Sequence, residues 1–515
     1  MDFPSQQSGR ASTYAEDGRH DSETPLLGRD TTESSQDDKT KFSIGFLIAL
    51  TCINGGLQVF FSTVMANLAP YLQGLGLSKS TTAAIIISIP LSGAIIGPSV
   101  GTLSDRLRSR WGRRRPIILT GAFLTIASLT LLAWTEQLVH LIAGCGDHDS
   151  RQCGAGVEKA VVALAVIFTI LLAISVQPVQ AGCRALTVDI APSHEQTRAS
   201  AYASRIQGAM AIFSFWASSL TFPEIPGLES LTQFQALSCL NFITLGSTVL
   251  LTCLVVGEED SRRPSAEVTK RTILGFFREI WRNVRFLPER IRMACQVQFA
   301  SWMAWFPLLF YTTTYIGELD KTAEQKTSNS GNQLAQAGSI GSLSFAIVGF
   351  IAVLTLPVIT SRFFPTNNNK ILIKLWTFTQ PLLGLLLLLT LASTSPWQGI
   401  VLVALAGIPW AVTQWVPWAL IGYETSRLGL TTGGGVTESS DESATTTKED
   451  GDAQSGAILG IHNLAISLPQ VLSGAVSIVS YGIAEKAGSE VPTAWVLASS
   501  GLAAFVAGYL ARRML

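Results

Sequence analysis

The stretch VALAVIFTILLAISVQPVQAGCRAL, residues 162–186, decides the fold class because it is long and apolar enough to cross a membrane. A hydrocarbon core about 30 Å thick needs ~20 apolar residues per helix. Its single charge, Arg184, costs at least about 3 kcal/mol at membrane depth, so a residue of this kind usually faces a cavity with a purpose. Gln177, Gln180 and Arg184 follow helical spacing on one face. The stretch therefore predicts a membrane helix that presents a polar site to the protein interior.

The composition of the whole chain agrees with a membrane protein. Of its 515 residues, 48% are hydrophobic and 14% are charged, whereas soluble domains carry about 25% charged residues. Lys and Arg number 36, as do Asp and Glu, so the basic footprint of a nucleic-acid-binding protein is absent. The sequence has no GxxxxGK[ST] nucleotide loop, no Ser/His/Asp constellation and no metal-ligand cluster. We therefore expect neither an enzyme nor a cofactor.

Apolar stretches of membrane-spanning length recur along the chain and predict an all-α membrane protein. The twelve predicted spans are 43–68, 82–104, 116–135, 160–184, 200–221, 235–256, 294–316, 339–360, 371–392, 398–422, 456–480 and 493–511.

A charged segment divides these spans six and six. We predict a disordered tail at 1–41, a first six-helix bundle at 42–256, a central loop at 257–292 and a second bundle at 293–511, with a disordered insert at 425–455. The portion FFREIWRNVRFLPERIR of the central loop has the pattern of an amphipathic helix on the bilayer surface.

The orientation follows from the distribution of positive charge. The loop 106–115 holds six arginines, and the chain ends in Arg512 and Arg513. Both termini are therefore expected in the cytoplasm. Cys145 and Cys153 then bracket an outer loop, where they either form a disulfide or stay as free thiols.

Six plus six helices around a cytoplasmic central loop resemble the layout of major facilitator transporters. The substrate site of such transporters lies near the membrane midplane, between the two halves.

The motif PLSGAIIGPSVGTLSDRLRSRWGRRRPII, residues 90–118, is the densest in the chain. Gly93, Gly97 and Gly101 at four-residue spacing favour close helix packing. The acid among the arginines predicts a charge-paired latch that breaks as the transporter rocks, and a plain positive-inside anchor is the alternative. The latch residues are Asp105, Arg106, Gly112, Arg113, Arg114 and Arg115.

The same motif resembles the sucrose transporter family of plants and fungi, in the glycoside–pentoside–hexuronide symporter group. Further stretches are similar to motifs of that family, and the resemblance covers nearly all of residues 42–511. These stretches are Gly56–Gln58, Pro70–Gln73, Gly182–Asp189, Ala304–Pro307, Gly407–Thr413 and Leu459–Gln470. The resemblance implies a sugar substrate.

The chain departs from the plant members of this family at three positions. Ala173, Thr312 and Thr314 stand where those members typically have acids, which are the family's suspected proton carriers. The resemblance therefore supports a sugar substrate better than it supports the plant mode of proton coupling.

Polar and aromatic side chains at helical spacing on several spans predict one shared cavity. Amides and hydroxyls exchange hydrogen bonds with sugar hydroxyls, and tryptophan faces cover the C–H surface of a sugar ring. For each single residue, an interhelical hydrogen bond or an interfacial anchor is the alternative. The predicted substrate-binding residues are Asn54, Gln58, Gln177, Gln180, Arg184, Trp302, Trp305, Gln414, Asn463 and Gln470.

The candidates for proton coupling are Asp189, Glu318, His462 and Glu424. Histidine titrates near physiological pH, and burial would shift a carboxyl toward that range. For His462 a packing role is the alternative, and for Glu318 simple solvation is the alternative.

We therefore predict a secondary transporter that imports sucrose and related α-glucosides such as maltose with protons, in the plasma membrane. An uncoupled facilitator, an organellar exporter and a sugar sensor are the alternatives. Leu26 and Leu27 behind Glu23 loosely match an acidic sorting signal and motivate the organellar alternative.

Overall fold

The computed structural model describes residues 42–144, 155–191, 193–258, 278, 287–320, 330–363, 368–433 and 443–515. In these residues every regular element is a helix, which confirms the all-α prediction. The predicted tail 1–41, the predicted surface helix before Leu287 and the pair Cys145 and Cys153 lie outside the described residues.

Nine α-helices are described in the first half of the chain, residues 42–258. They are α1 (Ile44–Thr51), α2 (Ile53–Gly74), α3 (Lys79–Ile86), α4 (Ser88–Arg106), α5 (Arg115–Ala133), α6 (Thr135–Ala143), α7 (Ala155–Ile190), α8 (Ser193–Ser219) and α9 (Gln233–Val255).

Seven α-helices are described in the second half, residues 287–515. They are α10 (Glu289–Leu319), α11 (Ser330–Phe363), α12 (Asn368–Leu389), α13 (Pro396–Leu405), α14 (Gly407–Gly433), α15 (Ser443–Lys486) and α16 (Pro492–Arg512).

Each predicted span coincides with one of these helices or with a consecutive pair of them. By length and composition alone, ten helical stretches of the described residues could cross a membrane. The two remaining spans correspond to α8 and α10, which carry more polar residues. Helix α10 packs against α11, α15 and α16, so much of its surface faces protein instead of lipid.

Prolines explain two of the breaks between consecutive helices. A proline ring clashes with the carbonyl four residues earlier and supplies no N–H. Pro90 is four residues after Ile86, where α3 ends, and Pro409 is four residues after Leu405, where α13 ends. In both places a single residue separates the two helices, so α3–α4 and α13–α14 each form one kinked span.

Polar residues cap several helix starts as their types predict. The Ser78 hydroxyl accepts from the Thr81 N–H at the start of α3. Thr232 and Gln235 form a capping box at the start of α9. Pro116 lies in the first turn of α5, as the sequence predicts.

Two expectations about particular segments differ from the structure. Helix α14 continues to Gly433 and α15 begins at Ser443, so helices extend into the stretch 425–455 that was predicted to be disordered. Gly93 lies against Gln177 of α7, but a side chain at Gly97 would meet open space. A side chain at Gly93 would make only ordinary contact with Gln177, so neither glycine shows the close helix approach that the repeat predicted.

The helix ends form two opposite faces, which position the candidate site between them. The face that carries Arg113–Arg115, Arg290 and Arg512 is called the basic face. The face that carries Lys79, Glu318 and Thr493 is called the opposite face. In the second half, one buried cluster around Ile291, Trp376 and Ala511 lies toward the basic face, and a second around Tyr315, Leu383 and Leu497 lies toward the opposite face.

Candidate functional site

Helix α2 carries a narrow accessible stripe. Between Cys52 and Ala69 its accessible side chains are Asn54, Gln58, Phe61 and Met65, and the other residues in this range are buried. The spacing of i, i+4, i+7 and i+11 places the four side chains on one face. The stripe begins with two amides and ends with two large apolar groups.

The rest of α2 is enclosed by neighbouring helices. The Ser214 hydroxyl of α8 donates to the Val59 carbonyl at 3.3 Å, and the Asn241 amide of α9 donates to the Thr63 hydroxyl at 2.9 Å. Helices α10 and α11 also pack against α2. Because neighbouring helices bury the other residues from Cys52 to Ala69, the stripe is the accessible face of this part of α2.

Arg184 on α7 combines accessibility with an interior position. Its side chain is solvent-accessible, although many protein atoms lie around it. In the described part of the chain it makes no hydrogen bond or ion pair. Gln180, one turn earlier, is half-buried, whereas Gln177 is buried and donates to the Ser92 hydroxyl at 3.2 Å. Arg184 therefore presents a guanidinium with free donors, and Gln177 is held by α4.

The acid nearest to Arg184 along α7 is engaged elsewhere. Asp189 Oδ2 lies 2.8 Å from Arg114 Nε and 3.7 Å from Arg113 Nη2. Arg114 also donates to the Ser104 hydroxyl at 2.7 Å. These contacts tie α4, α5 and α7 together at the basic face, with Asp189 in place of the predicted latch acid Asp105. The side chains of Asp105 and Arg106 lie outside the described residues.

Glu258 completes this cluster from the end of α9. Its carboxylate accepts from the backbone N–H of Arg114 at 3.0 Å and from that of Arg115 at 2.9 Å. Free N–H groups and the positive end of the helix dipole favour an anion at the start of α5. Gly112 packs against this carboxylate with a φ of 90°. Glu258 was not among the predicted residues, although an acid directly after a span and before a basic loop is a signal that could have identified it.

The tryptophans of α10 fall into two environments. Trp302 is half-buried and lies edge-on to Trp410 of α14, with ring centroids 5.8 Å apart. Trp305 is fully buried, and its Nε1 donates to Ser301 at 3.1 Å and to Thr413 at 3.3 Å. In this conformation Trp305 belongs to the core, which differs from its predicted place on the cavity wall.

A second stripe on α10 was not predicted. Arg292, Gln296, Phe299 and Met303 are accessible at i, i+4, i+7 and i+11, whereas Gln298 is buried. The exposed amide of Gln296 is therefore available to a solute.

Helices α14 and α15 contribute the remaining predicted residues. Gln414 is half-buried and Asn463 is exposed. Gln470 is half-buried and donates to the Ile466 carbonyl at 3.0 Å, while the Asn54 amide on α2 likewise donates to the Thr51 carbonyl at 3.0 Å. Each of these side chains is accessible and retains hydrogen-bonding groups for a solute.

His462 has an unusual environment on α15. Its side chain is fully buried, and neither ring nitrogen has a hydrogen-bond partner. The ring lies edge-on to Trp418, with centroids 4.4 Å apart. It therefore packs against an aromatic ring and is not exposed to the cavity in this conformation.

The other titratable candidates are paired near the helix ends. Glu424 lies 3.0 Å from Arg290 at the basic face, and Glu318 lies 2.7 Å from Lys79 at the opposite face. Burial raises the pKa of the Glu318 carboxyl above its ordinary value, while the charge of Lys79 lowers it. Among the described residues no carboxylate pairs with Arg184, and no cluster of three His, Cys, Asp or Glu side chains could hold a metal.

The accessible side chains of α2 and α10 lie toward the basic face. On α10, the residues from Ala304 to Gly317 are buried except Leu309, while accessible residues lie nearer its start at Glu289. On α2, the accessible stripe ends at Met65, and the run from Ala66 to Ala69 is buried. Buried residues of both helices therefore lie between the accessible stripes and the opposite face.

Comparisons with known proteins agree with this architecture. The sequence profile of the Major Facilitator Superfamily matches residues 46–435. A general alpha-glucoside permease of Schizosaccharomyces pombe is 29% identical over 91% of this chain and 93% of its own length. A sucrose transport protein of Oryza sativa subsp. japonica is 26% identical over 84% of this chain and 81% of its own length.

Solved structures show the same fold. The crystal structure of a D-xylose-proton symporter superposes with a TM-score of 0.57 and 14% identity, covering 92% of this chain and 98% of the other. That of the nucleoside transporter NupG gives a TM-score of 0.55 and 15% identity, covering 92% and 99%. At such identities the likeness concerns the fold alone.

Proposed function

The chain belongs to the Major Facilitator Superfamily, whose matched relatives are membrane transporters and not enzymes, and we propose that it carries α-glucosides such as sucrose and maltose across the membrane. The observation that carries this proposal is the unpaired guanidinium of Arg184 in a cavity that also exposes the amides of Asn54 and Gln58. The similar alpha-glucoside permease and sucrose transport protein support the substrate class.

The chemistry of the cavity suits a disaccharide. Arg184 offers donors in a fixed fork that binds two neighbouring oxygens, and the amides of Gln58, Gln414 and Asn463 both donate and accept. Trp302 supplies an aromatic surface for the C–H face of a sugar ring. We propose these five residues, together with Asn54, Gln180, Gln296 and Gln470, as the binding set. Gln177 positions α4 against α7, and Trp305 packs from the core against Trp410, the ring that Trp302 also contacts.

Alternating access explains how the site would serve both sides of the membrane. We propose that the structure represents a state open at the basic face, since the accessible residues of α2 and α10 lie on that side. By the positive-inside rule this face is the cytoplasmic one, which places both termini in the cytoplasm and the opposite face outside. The plasma membrane is the proposed location, and import is the proposed direction.

Proton coupling is the second part of the proposal. Glu318 is its best-placed carboxyl, since it lies at the face where an external proton arrives and burial raises its pKa. Asp189 is better assigned to the latch because Arg114 and Arg113 hold it at the basic face. His462 remains a candidate only in a conformation that exposes its ring.

Uptake of labelled sucrose and maltose tests the substrate assignment. The chain would be expressed in cells that lack other disaccharide transporters, with Arg184→Ala as the matched inactive control. Uptake that competing α-glucosides suppress is the expected result. Absence of uptake of both sugars by protein present at the cell surface would refute the assignment.

Coupling and location need separate measurements. Uptake that rises at acidic external pH and collapses with a protonophore is expected for a symporter, whereas uptake indifferent to both identifies a facilitator.

A tagged protein retained in an internal membrane, and released by changing Leu26 and Leu27 to alanine, would identify an organellar exporter. A signalling response to sugar without any flux would identify a sensor.

A further inference from the structure

An ion pair joins the two halves of the chain at the opposite face. Lys79 Nζ in the first half lies 2.7 Å from Glu318 Oε1 in the second half. Lys79 begins α3, and Glu318 lies in the last turn of α10. The exposed fraction of the side chain is 29% for Lys79 and 6% for Glu318. The carboxylate is therefore buried, and Lys79 is the cation that balances it.

Thr493 fixes the same carboxylate from a third helix. Its hydroxyl donates to Glu318 Oε1 at 2.6 Å, and its backbone N–H donates to Oε2 at 3.0 Å. Thr493 lies in the first turn of α16, where the helix dipole favours an anion. Both carboxylate oxygens are thus satisfied in the closed arrangement, one of them by a group from the other half of the chain.

The remaining titratable groups around Glu318 are neutral phenols or acids. Tyr315 precedes it on α10, and Tyr481 of α15 contacts Thr493 at 3.1 Å. Asp320 follows two residues later, and Glu485 of α15 lies farther out. Among these described groups, Lys79 is the cation that contacts Glu318.

The pair lies between an outer hollow and the sealed part of the cavity. A hollow of about 520 Å³ is lined by Gln73, Ser78, Lys79 and Glu485, among others. Inside the pair, Ile87 packs directly against Gly474, which joins the first half of the chain to α15. Separation of the halves at this face must therefore break the contact between Lys79 and Glu318.

We propose that Lys79 and Glu318 form the outer lock of the transporter, and that Lys79 keeps the opposite face closed by neutralising the buried carboxylate. This proposal rests on the proposed function as a transporter with alternating access. Removing one partner of a buried pair leaves an uncompensated charge, whereas removing both charges is far less costly. The lock therefore makes an asymmetric prediction: loss of Lys79 alone opens the face, and further loss of the Glu318 charge restores closure.

A cysteine reporter measures this opening without any substrate. Met65 is the accessible residue of α2 closest to the sealed region, so Met65→Cys reacts with a membrane-impermeant maleimide from the opposite face only when that face opens. Ala487→Cys, exposed beside the hollow, identifies the side to which reagent is added and normalises the reaction rate. Protein without the added cysteines measures the background from native thiols.

Three variants in the Met65→Cys background test whether Lys79 and Glu318 form the outer lock. Lys79→Met is expected to raise the labelling rate at least about tenfold. Lys79→Arg keeps the charge and should remain within about twofold of the parent. The double change Lys79→Met with Glu318→Gln should return labelling close to the parent rate, which also shows that methionine at position 79 is compatible with a folded, closed chain.

An acid titration adds a second readout. In Lys79→Met the closed state retains a buried, unpaired Glu318, whose pKa is raised by burial. Protonation then stabilises closure, and that stability is lost as the pH rises through the raised pKa. Labelling of Lys79→Met, normalised to Ala487→Cys, should therefore fall as the pH is lowered, while labelling of the double variant stays flat.

Parent-like labelling of Lys79→Met would overturn the lock, and so would a double variant that stays as open as the single one. These outcomes do not depend on the sugar. If labelling follows the expected order but neither sucrose nor maltose is transported, the lock stands and the proposed substrate fails.

Discussion

Arg114 Nε lies 2.8 Å from Asp189 Oδ2. The acid closest to Arg184 along α7 is therefore directed toward the arginines of the basic face and not toward Arg184. Asp189 follows Arg184 by five residues on α7, which turns it away from the guanidinium. Its carboxylate is committed to the arginines of the basic face. Among the described residues Arg184 is consequently left without a carboxylate partner, and the proposed latch and the proposed binding site are separate features of α7.

Replacement of Arg184 should abolish transport. Two hydrogen bonds from a charged donor contribute roughly 3 kcal/mol or more, so Arg184→Ala is expected to lower uptake at least about a hundredfold. Arg184→Lys should fail nearly as badly, because an ammonium lacks the planar fork of donors. Initial uptake rates, normalised to protein at the cell surface, provide the measurement.

Near-normal uptake by Arg184→Lys would show that charge alone suffices. Normal uptake by Arg184→Ala would remove the residue from the binding set altogether.

Neutralising Asp189 should affect the rate of transport and leave its pH dependence intact. Asp189→Asn removes the charge that pairs with Arg114 at the basic face, so we expect a several-fold loss of uptake. Because Asp189 lies outside the cavity, the shape of the pH profile should match that of the parent. Asp189→Glu, which keeps the charge, serves as the control. Uptake that becomes indifferent to pH while sugar binding persists would identify Asp189 as the proton carrier instead.

The fold was largely predictable because apolar length sets a membrane span almost independently of tertiary contacts. Helix α7 illustrates the limit of this reasoning. The predicted span was 160–184, whereas the helix covers Ala155–Ile190. A hydropathy window detects the part of a helix that lies in the hydrocarbon, but not the polar turns beyond it. The ends of the helix could therefore not be predicted from hydropathy.

Residues of the candidate site were predictable from the sequence only on a helix that has a single accessible face. On α2, Asn54 and Gln58 were found because two amides in an apolar helix stand out. On α10, two glutamines two residues apart point to nearly opposite faces. Trp302 and Trp305 were predicted together, but the structure leaves Trp302 half-buried and buries Trp305, since large aromatic side chains at helical spacing are equally typical of a core.

Cysteine scanning of α10 tests the stripe that the sequence missed. Gln296→Cys is expected to react with a water-soluble maleimide applied to the basic face, and maltose should slow that reaction. Gln298→Cys is the matched control on the same helix, and it should remain unreactive because Gln298 is 1% exposed. Labelled bands on a gel, with native thiols subtracted, provide the measurement. Equal reactivity of the two positions would contradict the assigned helix face.

Gly112 should be far less replaceable than an ordinary glycine, because two requirements meet there. Its φ of 90° lies in the left-handed region, which costs other residues roughly 1–2 kcal/mol, and an added Cβ would collide with Glu258. Gly112→Ala is therefore expected to lower the apparent melting temperature of the purified protein by several degrees. Gly45→Ala is the matched control, since Gly45 lies within α1 and has open space around it; alanine favours the helix there.

Glu258→Gly removes both the carboxylate and the Cβ that the new methyl would strike. Its combination with Gly112→Ala should consequently be less damaging than the sum of the two single changes. Strict additivity would show that the carboxylate of Glu258 does not pack on Gly112.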